Sequence, residues 1–142
     1  AGAAGSPSRR AVLNEGIGGN TVTREGLLPP PDSPTGLERL DRDVLSHHGA
    51  DTVVLFMGTN DIRRGASAAQ VIDGMTAIAR RTRSAGLRLY AATIIPRHNQ
   101  AAGASTPWDP SKTRIRNEVN AWLRSGRAPV DGLIDFDRIV QD

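Results

Sequence analysis

Six consecutive residues, Thr52-Val53-Val54-Leu55-Phe56-Met57, run without a charge and stop abruptly at Gly58-Thr59-Asn60-Asp61. An alternating pattern would describe a strand with one face in water. An unbroken apolar run predicts a strand covered on both faces, as in a parallel sheet. Parallel strands need long crossovers, usually helices, so amphipathic segments should flank this run.

They do. Leu37, Leu40, Val44 and Leu45 recur at helical spacing over residues 35–47. Thr35 with Glu38 fits a capping box, and Gly49 sits where a helix-ending glycine would. Ser67 with Gln70 opens a second helix, whose stripe is Val71, Met75, Ile78 and Thr82, widened by Ile72 and Ala79. Gly86 stops it. Residues 87–95 form a third apolar run, ended by Pro96. Asp109 and Pro110 give an N-cap and first helical residue. Ile115, Val119, Trp122 and Leu123 then supply a buried stripe, closed by Gly126. Residues 132–136 read as a last strand, and the short run Ala11-Val12-Leu13 as a first one. Strand and helix alternate throughout, which predicts an α/β fold with parallel strands and right-handed crossovers. At 142 residues the chain fits one domain. Ligands of such sheets gather at the carboxyl ends of the strands. Residues 14–20, 58–61 and 96–98 should therefore converge on one edge.

The segment at 14–20 is Asn-Glu-Gly-Ile-Gly-Gly-Asn. A dinucleotide fingerprint would need a third glycine opening a helix. Here that position is Thr21, and no helical pattern follows for over a dozen residues. Without a helix N-terminus there is no dipole to hold a pyrophosphate. The Gly-x-x-x-x-Gly-Lys-Ser/Thr phosphate loop is absent as well. A nucleotide-binding domain is thus a disfavoured alternative. A glycine turn without function is the plain one. The second loop, Gly58-Thr59-Asn60-Asp61, has its own plain reading as a turn. It also offers an amide at a strand end. Such an amide, with a backbone N–H from a neighbouring glycine loop, can hold an oxyanion.

Taken together, Asn14–Asn20 and the run Val54-Leu55-Phe56-Met57-Gly58-Thr59-Asn60-Asp61-Ile62 resemble two motif blocks of the SGNH (GDSL-type) hydrolases, a family of esterases and lipases. Asp131-Gly132-Leu133-Ile134-Asp135-Phe136-Asp137 resembles that family's last strand. The resemblance spans essentially the whole chain. It implies a three-layer α/β/α sandwich with a mostly parallel, flavodoxin-like sheet, and ester cleavage through an acyl-serine. By position, Gly19 would be the backbone oxyanion donor and Asn60 the side-chain donor. Asp61 would brace the loop. Asn20 would orient Gly19 and, with His98, is a candidate substrate contact. The resemblance implies no cofactor, no metal, and a small-molecule ester as substrate.

Two of the family's blocks have no counterpart. No Gly-Asp-Ser occurs, and Ser6 and Ser8 lie too close to the glycine loop to replace it. No Asp-x-x-His occurs either. His47 and His48 fall at a helix end, where a cationic histidine suits the dipole. A serine without a base is a weak nucleophile. The expectation is therefore a single partial domain over residues 1–142, incomplete at both ends and inactive alone, with a marginal fold and exposed apolar surface. A non-catalytic domain binding a small molecule or carbohydrate is the alternative. Specificity would lie in residues 21–34 and 97–107, whose length and polarity suit a shallow cleft for small or sugar-borne esters.

The remaining composition removes classes rather than adding them. Aromatic residues are 4% of the chain, too few for a base-stacking platform. The net charge of +3 is dispersed in arginines, with Lys112 the lone lysine, and forms no stripe for nucleic acid. Without cysteine, disulfides and thiolate metal sites are excluded. No run approaches the roughly 18 apolar residues of a membrane helix. Residues 1–10 show no signal-peptide pattern. Compartment and oligomeric state stay open.

Overall fold

The computed structural model describes residues 9–98 and 107–141. Helix α1, Gly36–Leu40, starts at the Thr35–Glu38 capping box and continues as a π-helical turn, Asp41–Leu45. There the Ser46 N–H reaches back five residues to the Asp41 carbonyl, at 3.0 Å. Strand β1, Thr52–Leu55, leads into the short helix α2, Thr59–Arg63. Helix α3, Ala68–Ser84, opens at the Ser67–Gln70 box and ends before Gly86, whose φ of +84° suits glycine. Strand β2, Arg88–Ala92, helix α4, Pro110–Arg124, strand β3, Gly132–Ile134, and helix α5, Phe136–Ile139, complete the order.

The sheet runs β1-β2-β3 with both pairings parallel, so this is an α/β fold. Leu55, Leu89 and Ala91 point to one face. There they join Val71, Met75 and Ile78 of α3 and Val119 and Leu123 of α4 in one core. Each fully buried aliphatic side chain contributes about 1.5–3 kcal/mol of hydrophobic stabilisation.

Three expectations change. Ala11-Val12-Leu13 is not a strand; Val12 is 90% exposed and finds no partner in the sheet. The run at 52–57 gives only four strand residues, and it is covered on one face. Val54 is 56% and Phe56 49% exposed, because among the described residues the core helices lie over the other face and β1 has a neighbour on one side only. The last strand stops at Ile134; Asp135 instead caps α5, and the Phe136 ring turns onto Phe56 at 5.3 Å between centroids. Exposed apolar surface also includes Leu13, Ile139 and Val140.

Candidate functional site

The glycine loop is shaped by its own backbone. Asn14 Oδ1 accepts from the Gly16 N–H at 2.9 Å, and the Asn20 N–H donates to the Ile17 carbonyl at 3.1 Å. Gly19 is the third residue of that turn. Its φ of +76° is one that L side chains rarely adopt, although a Cβ there would meet nothing within 4 Å. Conformation, not space, calls for glycine. The Gly19 peptide is exposed, and its N–H has no acceptor among the described residues.

Behind the turn, polar side chains hold it. Asn20 is 5% exposed; its amide donates to Ser33 Oγ and the Pro34 carbonyl, and its Oδ1 accepts from Arg39 Nε at 3.1 Å. Those bonds occupy the Asn20 side chain, so it faces the protein and not a ligand. Arg39, 6% exposed, also donates to the Glu15 carbonyl at 2.7 Å and pairs with Asp43 at 3.2 Å. His47 Nε2 lies 2.8 Å from Glu15 Oε1, so this histidine ties down the glycine loop besides ending its helix. His48 is exposed.

The second loop begins at Gly58, with φ +115°. Its backbone conformation calls for glycine, and a Cβ there would also press on the ends of two core side chains, 2.8 Å from Ile94 Cδ1 and 3.1 Å from Met75 Cε. The chain reverses at this point and enters α2 rather than a plain turn. Asn60 and Asp61 fall in the first turn of that helix. Asp61 is fully buried and accepts from the Val22 N–H at 2.9 Å and the Thr23 N–H at 3.1 Å. Burial pushes its carboxyl up to about 6; the two N–H donors oppose that shift without cancelling it. Asn60 Nδ2 donates to the Asn20 carbonyl at 3.0 Å. An amide NH₂ carries two hydrogens, so one remains for another acceptor. The two loops that the sequence singled out thus meet, Asn60 lying directly on the segment that carries Gly19.

His98 follows β2 and is exposed; no hydrogen bond brings it to Gly19 or Asn60 among the described residues. Its stretch is positioned from α4. Asn120, fully buried, pairs with both the N–H and the carbonyl of Ile94, at 2.8 and 2.9 Å. Most of the 97–107 loop lies outside the described residues. Arg39 and Asn120 were not anticipated. Arg39 left one faint signal, its i,i+4 spacing to Asp43; Asn120 left none. A surface depression is lined by Arg24, Pro31, Ser33, Glu38, Arg39 and Arg42, and neither Gly19 nor Asn60 lines it.

The GDSL-like Lipase/Acylhydrolase family matches residues 2–142, with the glycine loop and the Gly-Thr-Asn-Asp loop inside the match. The chain belongs to this GDSL-like family. Its α/β fold with a parallel sheet is the flavodoxin-like architecture of SGNH hydrolases. Membership places it among hydrolases of the lipase and acylhydrolase type, which act on small molecules. No curated protein matches the chain. Among the described residues of this GDSL-like chain, no helix is long and apolar enough to cross a membrane.

Proposed function

We propose that the chain carries the oxyanion-binding half of a serine ester hydrolase site. Gly19 N–H and the second Asn60 Nδ2–H are the donors. The observation that carries this reading is the Asn60–Asn20 bond, which sets a side-chain donor beside an exposed backbone donor at the carboxyl end of β1. Such preorganised donors stabilise the charge that develops on a carbonyl oxygen during acyl transfer. Asp61, through Val22 and Thr23, and Arg39, through Asn20 and Glu15, hold the donors in place.

In this proposal the nucleophile is a serine in a Gly-Asp-Ser block and the base a histidine in an Asp-x-x-His block, neither present in these 142 residues. Acyl transfer runs to that serine and then to water. Residues 1–142 alone are inactive.

Turnover of an aryl acetate by the native polypeptide that includes this chain is the test. Asn60→Ala should lower kcat by about 10²–10³. Unchanged turnover would remove Asn60 from the mechanism. Full activity of residues 1–142 alone would refute the missing-nucleophile reading.

A further inference from the structure

The edge that carries Asn60 also gathers cations. Arg63 and Arg64 follow Asn60 at i+3 and i+4, on its side of the helical turn. Arg97, beyond β2, holds its guanidinium 5.6 Å from the centroid of the buried Trp108 ring. Lys112 of α4 donates from Nζ to the Arg63 carbonyl at 2.9 Å and to the Pro107 carbonyl. Three chain segments therefore bring four positive charges together.

These charges lack acidic partners. Among the described residues none of the four makes a salt bridge, whereas Arg24, Arg39, Arg42, Arg116 and Arg124 each do. Two carboxylates are felt electrostatically, Asp61 by Arg64 and Asp109 by Lys112. Both are engaged with backbone N–H groups. The Nε atoms of Arg63 and Arg64 are shielded from solvent with no hydrogen-bond partner. Burial, and then the neighbouring charges of Arg64 and Arg97, hold the Arg63 guanidinium below its usual range. Repelling cations with unpaired buried donors destabilise a fold. A bound anion relieves the repulsion, and the arginine fork suits a planar carboxylate or a phosphate.

We propose that Arg63, Arg64, Arg97 and Lys112 form a subsite for an anionic group carried by the ester substrate itself. This rests on the reading of Asn60 as an oxyanion donor. One helical turn, about 5 Å, separates the backbone of Arg63 from that of Asn60, so the anion and the scissile carbonyl belong to one small molecule. The substrates are esters bearing a carboxylate or phosphate, not neutral lipids.

The native polypeptide is titrated with 4-acetamidobenzoate, its methyl ester and 4-acetamidophenyl phosphate, amide mimics of aryl acetates. At low salt the two anions should bind about tenfold or more tightly than the neutral methyl ester. The tighter of the two identifies the group. The preference should fall toward unity at about 0.5 M salt, and in Arg63→Gln and Arg97→Gln variants whose thermal unfolding shows an intact fold. The salt series needs no variant. Equal affinities for all three compounds, or a preference that survives salt and both substitutions, overturns the proposal. Asn60→Ala separates it from the oxyanion reading. Unchanged aryl-acetate turnover with the anion preference intact removes the oxyanion assignment and supports the subsite. Lost turnover with no anion preference removes the subsite alone.

Discussion

Two corners of the same sheet edge handle buried charge in opposite ways. Beyond β3, Arg116 pairs with Asp137 at 2.5 Å, and Arg124 reaches both Asp135 and Asp137, at 2.6 and 2.8 Å. Thr93 Oγ1 adds a bond to Asp135 and accepts from the Asp137 N–H. Every charge there has a partner. Arg124 holds the Asp135 carboxyl well below the usual range, and bonds from Arg124 and Arg116 lower that of Asp137 against its burial. Beyond β1, Asp61 is buried against backbone N–H groups with its carboxyl pushed up, and among the described residues Arg63 and Arg64 beside it make no salt bridge. The first corner is a closed network, which fixes α4 and α5 on the sheet. The second is left open. Of the buried unpaired polar side-chain atoms in the described residues, Thr21 Oγ1, Thr59 Oγ1, Arg63 Nε and Arg64 Nε lie on this corner, and Thr82 Oγ1 lies apart on α3. Unsatisfied buried groups concentrate on the corner that the closed network does not reach.

The contrast breaks first if the closed corner tolerates damage. Arg116→Met strips buried Asp137 of one of its two arginine partners, and should cost about 1.5–3 kcal/mol by denaturant unfolding. The double change Arg116→Met with Asp137→Leu should recover most of that loss. A small effect of the single change would mean the network is not structural.

A smaller effect comes from Asp61. Its folded pKa, about 6, stands above the ordinary 3.8, so the folded state holds the proton more tightly than the unfolded chain. That contribution is fully present below about pH 4 and is lost as pH rises through about 6. Between about pH 5 and 7 it removes about 1 kcal/mol, of about 3 kcal/mol in all. Bonds to Arg24 and to Arg42 lower Glu38 and Asp43 to about 2, so they act in a more acidic window. Denaturant unfolding across the neutral range should show the fall, and Asp61→Asn should flatten it. A carboxyl ¹³C titration of Asp61 with a midpoint below about 4 would overturn the sign.

The smallest expected effect is the most telling. Arg63→Gln at the open corner should change stability by no more than about 0.5 kcal/mol in either direction. A loss matching that of Arg116→Met would make the two corners alike.

Much of the open corner was legible in the residues. Gly19 and Asn60 stand in motif order in two loops, and the fold joins them through the Asn20 carbonyl. The capping boxes at Thr35 and Ser67 are local signals and appear as read. Tertiary consequences were not legible. The Thr52–Met57 run has the apolarity of a strand covered on both faces, but coverage depends on what lies opposite, and Val54 and Phe56 are bare. Ala11-Val12-Leu13 has strand composition but pairs with no strand among the described residues. Arg39, Arg116 and Asn120 are polar residues on helix faces, where periodicity reports only apolar stripes. Their burial follows from partners distant in sequence.

Gly58 ties the aim of the site to the density of the core. The helix that carries Asn60 departs from β1 through Phe56, Met57 and Gly58, and Gly58 packs against the ends of the Ile94 and Met75 side chains. That residue works as a pivot between a stiff lever and a pointed tip. A displacement too slight to unfold the protein would swing the Asn60 amide off target, and misplacement by about 1 Å can cost a hundredfold in rate. Tight packing beneath the pivot is therefore a form of marksmanship. Changes to Ile94 or Met75, which touch no substrate, would register as lost accuracy at the carbonyl before they register as lost stability.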